Sequence, residues 1–186
     1  MKLIAITTLL LVSLLSSSQT TMDTMIFNKI NEYRIENCLA PIKMSSKAYM
    51  VAENQSHYNT LIKWIYHDQN IKLDSFTTEP VFTKRFNRFG IETNSCTFLV
   101  GENLAVIVDS SDICTLSKIA DRTLEGWKNS KAHNDLLLTP GLEYGNIAHH
   151  IGYEYYIETL DTKTFESEVY DVKGKMYYIA FETYIN

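Results

Sequence analysis

Segments with helical periodicity come first in this chain, and segments rich in β-branched and aromatic residues come last. One strand-like run, Cys96–Val108, interrupts the helical part. Three later segments, Tyr144–Ile157, Thr164–Val172 and Met176–Ile185, carry strand-type residues and are separated by turn residues. Strands do not alternate with helices, as they would around a parallel sheet. This order predicts an α+β domain that ends in an antiparallel meander.

Apolar spacing and capping residues predict four helices before the meander. In chain order they run from Asp23 or Thr24 to a point before Pro41, from Ser45 or Ser46 to His67, from Pro80 to Phe89, and from Ile113 to Trp127. The last of these is expected to break at Asn129-Ser130 before a further helical turn.

The first 18 residues predict a secretory signal peptide. Lys2 precedes an apolar run, Leu3–Leu15, and the small residues Ser16–Ser18 follow it. The run is shorter than the roughly 20 apolar residues that span a bilayer, and the sequence has no second run of this kind. We therefore expect a signal peptide at residues 1–18, one secreted domain at residues 19–186 and no transmembrane segment.

The formal net charge of the chain is −5 at pH 7. An acidic surface argues against nucleic acid or an anionic membrane as the main partner, because both require a basic patch. The one basic concentration, Lys84–Arg88, is interpreted as the solvated face of a helix.

Three cysteines entering an oxidising compartment predict at least one disulfide. Cys96 and Cys114 flank the stretch Gly101-Glu102-Asn103, and a bridge between them would tie that strand to the following helix. Spacing does not fix the connectivity, so pairing of Cys38 with either partner stays open. Asn54-Gln55-Ser56 is the one N-glycosylation sequon and makes Asn54 the glycosylation candidate.

Glu102 interrupts an apolar run, and His67 and His133 flank it in the sequence. Two imidazoles and a carboxylate can form a metal site or an acid/base site, and without metal they can form a hydrogen-bonded network. No HExxH or GxSxG motif accompanies them, which weakens a catalytic interpretation. His57 is interpreted as a surface or packing residue, and His149-His150 as a loop or edge pair.

The order and spacing of several short segments resemble the CAP superfamily, whose SCP domain occurs in cysteine-rich secretory proteins, antigen 5 and pathogenesis-related proteins. The likeness is closest to its short bacterial-type members and covers nearly the whole chain after residue 19. It rests on Asn31-Glu32-Tyr33-Arg34 before Leu39-Ala40-Pro41-Ile42, the helix before His67, Gly101-Glu102-Asn103-Leu104, Trp127 through His133, Ile151-Gly152, and Tyr177-Tyr178-Ile179-Ala180-Phe181.

The resemblance implies an α-β-α sandwich, in which helices flank a small antiparallel sheet, and a cleft where histidines and acidic residues converge. His67, Glu102 and His133 match the cleft residues of the family, with Asn103, Trp127 and Ser130 as supporting residues. Ser130 stands where longer members carry a second glutamate, so the resemblance implies three ligands here and not four.

We therefore expect an extracellular binding or signalling module, and not an enzyme, whose cleft binds Zn²⁺. The alternatives are a secreted metal-dependent hydrolase and a carrier of lipid or sterol. The resemblance implies lipid binding for some relatives, and the sequence itself does not identify the extracellular partner.

Overall fold

The computed structural model describes residues 20–93, 99–109, 114–153, 157–160, 167–170 and 175–185. These ranges contain five helices and six strands. In chain order they are α1 (Thr21–Glu36), β1 (Lys43–Met44), α2 (Ser46–Ile62), α3 (Phe82–Arg88), β2 (Val100–Asp109), α4 (Leu116–Asn129), α5 (Lys131–Leu137), β3 (Tyr144–Tyr153), β4 (Ile157–Leu160), β5 (Ser167–Tyr170) and β6 (Lys175–Tyr184).

Four strands form the main sheet in the order β1-β3-β6-β2. β6 pairs antiparallel with both β2 and β3, and the short β1 pairs parallel with β3. The hairpin β4-β5 is a separate two-stranded sheet. The predicted C-terminal meander is therefore wrong in its connectivity, because its first and last strands pair directly with each other. β3 and β6 each carry apolar residues at successive positions, a pattern typical of strands in a sheet that is covered on both faces.

Helices cover both faces of this sheet. Because side chains alternate along a strand, Ile179 and Phe181 of β6 pack into the core formed with α1 and α4, whereas Ala180 packs against α2. On β3, His149 contacts Asp23 of α1 and His150 contacts α2. This is the α-β-α sandwich expected from the resemblance.

The helix caps agree with the sequence in part. Ser45 caps α2 as expected, but Thr20 caps α1, where Asp23 occupies the third helical position and completes a capping box. α2 ends at Ile62 and not at His67, because Lys63 adopts the left-handed conformation at φ 56°. α4 and α5 meet at Ser130, where the break was predicted.

Two expectations fall outside the described residues. The predicted signal peptide lies there entirely, and the predicted disulfide lies there in part, because Cys96 is not among the described residues. Cys38 is exposed, Cys114 is partly buried, and neither is in a disulfide within the described residues. No helix in the described ranges has both the length and the apolar character needed to cross a membrane.

Candidate functional site

Glu102 lies on β2, an edge strand of the main sheet, with its side chain only 1% exposed. Its Oε1 is 2.7 Å from Nδ1 of His67, and its Oε2 accepts a hydrogen bond from Nη2 of Arg85 at 3.1 Å. Burial alone would raise the pKa of Glu102, but the Arg85 charge and the His67 hydrogen bond lower it below its ordinary value. Glu102 is therefore ionised at neutral pH, and both of its oxygens have partners.

His67 lies in the loop after α2 and reaches back to Glu102. The hydrogen bond with Glu102 raises its pKa above the ordinary value and outweighs the opposing effect of burial. The side chain is 59% exposed. Its Nδ1 is bonded to Glu102, whereas Nε2 has no hydrogen-bond partner in the described part of the chain. The ring therefore presents one oriented nitrogen to solvent.

The loop that carries His67 is held by buried amides of α2. Nε2 of Gln55 donates to the carbonyl oxygen of Tyr66, and its Oε1 accepts from Gln69 at 3.0 Å. Oδ1 of Asn59 accepts from the backbone N–H of Tyr66 at 3.3 Å. Gln55 and Asn59 are four residues apart on the buried face of α2, and this spacing was the signal in the sequence that could have identified them.

Arg85 corrects the interpretation of Lys84–Arg88 as a fully solvated face. Lys84 and Arg88 are exposed, but Arg85 is completely buried. Its guanidinium bonds to Glu102 and lies 5.1 Å from the centre of the Phe82 ring, a cation–π contact. Phe82, Arg85 and Phe86 share one face of α3, and this apolar spacing places the arginine inside.

Glu182 is a second buried acid, which sequence reasoning missed. It lies on β6 directly opposite Glu102 and is 0% exposed. Burial, and next the Glu102 charge, raise the pKa of Glu182 well above its ordinary value. No described residue offers a hydrogen-bond partner to either of its carboxyl oxygens. Both effects favour the neutral form of Glu182, which faces the ionised Glu102 across the strand pair.

His133 lies on α5, close enough for the His67 charge to act on it. Burial, and then that charge, lower the pKa of His133 below its ordinary value. Asn103 fixes this part of α5, because its Nδ2 donates to the carbonyl oxygen of His133 at 3.0 Å. Trp127 is buried and donates from Nε1 to the carbonyl oxygen of Leu104 at 3.0 Å. Ser130 caps α5 through its backbone, without a side-chain hydrogen bond.

Gly101 allows α5 to approach β2. A Cβ at this position would collide with the Leu136 side chain. The absence of a side chain next to Glu102 therefore brings α5, and His133 with it, against the edge of the sheet.

The fold has counterparts among solved structures. An outer surface protein from Borrelia burgdorferi superposes with a TM-score of 0.51 and 19% identity, over 88% of this chain and 94% of that one. An extracellular protein containing a SCP domain from Bacillus anthracis superposes with a TM-score of 0.51 and 20% identity, over 85% of this chain. The fold is that of an SCP domain. The match spans 40% of the Bacillus protein.

The assignment of the SCP fold rests on structure alone. At the level of sequence, no family model matches the chain, and no curated protein matches it significantly. The fold brings His67 and Glu102 into contact and places His133 nearby, whereas their ligand atoms do not form a cluster within 4.8 Å. Among the described residues, the group that does so is Glu53, His57 and His150.

The glycosylation candidate lies in the middle of α2 in the SCP fold. Asn54 is partly buried, and its Oδ1 accepts a hydrogen bond from Gln69 at 2.9 Å. Its amide therefore belongs to the network that holds the His67 loop.

Proposed function

We propose that this chain is a secreted binding module of the CAP type whose cleft takes up a divalent metal ion such as Zn²⁺ through His67 and His133. The SCP fold supports the general class. The two structural neighbours are described as an outer surface protein and an extracellular protein, which agrees with the predicted signal peptide.

The orientation of His67 carries the proposal. A metal-binding histidine commonly donates its second ring N–H to a carboxylate, which fixes the ring and its tautomer. Glu102 occupies that position at 2.7 Å from Nδ1, and it is itself held by Arg85. Nε2 is thereby left as the ligand atom, and His133 is near enough for the His67 charge to act on it.

Glu102 acts in this proposal as a positioning residue and not as a ligand. One of its oxygens is bonded to His67 and the other to Arg85, and its side chain is only 1% exposed. The remaining metal positions are open to water or to a partner's side chain, as in zinc sites that keep an exchangeable ligand. A bound metal ion would then be the contact through which the module recognises an acidic or imidazole-bearing partner.

Neither alternative function gains comparable support. A hydrolase needs a free base beside the metal, yet Glu102 is bonded through both of its oxygens and Glu182 is completely buried. One apolar groove has a volume of about 180 Å³. It is lined by Lys63, Trp64, Ile65, Val106, Met176 and Tyr178. That volume is below the roughly 300 Å³ at which pockets begin to hold drug-sized ligands, so it would not enclose a sterol.

Calorimetric titration of ZnCl₂ into the purified protein tests the proposal, with the double variant His67→Ala/His133→Ala alongside. We expect a saturable component in the wild type that is missing from the variant, while the far-UV spectrum of the variant is unchanged. Identical isotherms for two folded proteins would show that the cleft histidines are not ligands. Zinc-dependent turnover that depends on His67 would favour the hydrolase instead.

A further inference from the structure

A second cluster of candidate ligands lies where α2 packs against β3. Glu53 and His57 are one turn apart on α2 and therefore share a face of that helix, which His150 of β3 meets. One ligand atom from each of the three residues lies within 4.8 Å of the other two. All three side chains are partly exposed, so that an ion could enter from solvent. We refer to Glu53, His57 and His150 as the helix–strand cluster.

Ser56 sets the orientation and tautomer of His150. The Ser56 hydroxyl donates its one proton to the carbonyl oxygen of Glu53 at 3.1 Å, and it lies 2.9 Å from Nδ1 of His150. Both hydrogen bonds can exist together only if Nδ1 of His150 is the donor to the hydroxyl oxygen. In a neutral imidazole the other nitrogen, Nε2, then carries a lone pair.

That lone pair faces a carboxylate. Nε2 of His150 is 3.6 Å from Oε1 of Glu53, which is too long for a hydrogen bond. Two acceptors that face each other repel unless a proton or a cation lies between them. The fixed tautomer places the proton on the opposite side of the ring, so a cation would satisfy both atoms.

His57 supplies the third side chain of the cluster and its second imidazole. Its ring stacks on His150 with centroids 4.7 Å apart and planes 11° apart, and Phe76 meets it edge-on at 5.5 Å. These contacts place the ring beside His150 in the metal-free protein. A tetrahedral zinc ion with bonds of about 2.0–2.2 Å needs ligand atoms about 3.4 Å apart. Rotation of the partly exposed side chains, which takes the two rings out of their stack, can bring the ligand atoms to that distance from separations of up to 4.8 Å.

We infer that the helix–strand cluster binds a divalent cation of the zinc class through His57, Nε2 of His150 and the carboxylate of Glu53. Two imidazoles and one carboxylate suit zinc and its neighbours better than Ca²⁺ or Mg²⁺, which prefer sets of oxygen ligands. The hydrogen bond from Nδ1 of His150 to Ser56 is the outer contact that such a ligand requires. The cluster shares no residue with the cleft, so either site can fail without the other.

Titration with ZnCl₂, followed by NMR of the histidine ring nitrogens, tests this inference in the His67→Ala/His133→Ala background. We expect zinc to shift the ring signals of His57 and His150, with saturation at one ion. Separate substitutions His57→Gln, His150→Gln and Glu53→Gln should each weaken that binding by about tenfold or more. Glu53→Gln changes a partly exposed residue on a helix surface and serves as the variant least disturbing to the fold.

His149→Gln is the matched control, because His149 neighbours His150 in sequence but faces the opposite side of the sheet and pairs with Asp23. It should leave the zinc affinity unchanged. The inference is overturned if zinc shifts neither His57 nor His150, or if Glu53→Gln binds zinc as tightly as its parent. Zinc shifts confined to His67 and His133 in the wild type would support the cleft and reject the helix–strand cluster.

Discussion

One side-chain oxygen of Glu102 is bonded to His67 and the other to Arg85, and these contacts keep Glu102 negatively charged. Arg85 brings one positive charge into a fully buried position, and ionised Glu102 compensates it. A second buried carboxylate would have no counter-charge, and burying an uncompensated charge is costly. The raised pKa of Glu182 favours its neutral form, which explains why two facing glutamates are tolerated in one sheet.

Glu182→Gln should stabilise the protein at neutral pH. The pKa of Glu182 is raised in the folded state, so the stability linked to its proton is complete below the unfolded-state pKa of about 4.3 and is lost as the pH rises toward the folded-state pKa. Glutamine has nearly the same shape as glutamate and has no proton to lose. We expect the free energy of unfolding at pH 7 to rise, because the wild type loses this proton-linked stability between acid and neutral pH and the variant does not.

Urea denaturation between pH 3.5 and pH 8 measures this effect. The difference between Glu182→Gln and wild type should be near zero at the acid end and should grow with pH. Glu92→Gln is the control for the loss of one carboxyl group, because Glu92 is exposed on the surface. A Glu182→Gln protein that is less stable than wild type at pH 7 would show that Glu182 is ionised in the fold.

At the scale of elements, the loop that carries His67 was predicted as part of α2. Ile62, Ile65 and Tyr66 continue the apolar spacing of the helix, so periodicity alone favours a longer helix. In the structure Ile65 still packs against the apolar cluster that contains Ala52 of α2, but it does so from a loop that begins at Lys63. A local pattern records which residues are buried, and it does not distinguish a helix from a loop folded back on that helix.

Gln55→Ala should release this loop although Gln55 is remote from the cleft in sequence. The change removes the hydrogen bonds to Tyr66 and Asn59, and it leaves Gln69 with Asn54 as its one remaining acceptor on α2. Loss of buried hydrogen bonds that leaves partners unpaired costs about 1–3 kcal/mol. Amide hydrogen exchange should speed up at Tyr66 and Ile71, and zinc affinity at His67 should fall because its ring is no longer oriented.

Met50→Ala on the same helix provides the comparison, because Met50 is 40% exposed and lies outside the amide network. In the Met50→Ala protein, the backbone amides of the His67 loop should exchange as fast as they do in the wild type. Unchanged loop exchange in Gln55→Ala would mean that packing of Ile65, and not the amides, holds His67 in place.

For the whole molecule, the sequence predicted the layers better than their connections. The α+β class, the cap at Ser45 and the break at Ser130 follow from local patterns, which is why they agree with the structure. Strand pairing depends on contacts between distant segments, and the predicted meander failed there. Arg85 and Glu182 were missed for the same reason, because a charged residue is expected to be exposed until its distant partner is known.

Arg34 joins the helical layers over long range and provides the test at this scale. It is 0% exposed at the end of α1, and its guanidinium donates to the carbonyl oxygens of Ala40, Leu137 and Thr139. It thereby fastens α1 to the end of α5, the helix that carries His133. Arg34→Leu relieves the burial of a charge but leaves three carbonyl groups without this donor, and hydrogen bonds to charged groups contribute about 1.5–3 kcal/mol each.

We expect the loss of hydrogen bonds to outweigh the relief, so that Arg34→Leu lowers the free energy of unfolding by about 3 kcal/mol in urea denaturation. Arg122→Leu is the matched control, because Arg122 is exposed and donates to one carbonyl oxygen, that of Val108. It should change stability by no more than about 0.5 kcal/mol. If the two variants are equally stable, the burial cost of Arg34 cancels its hydrogen bonds. The layers would then be held by the apolar core between α1, α4 and the sheet.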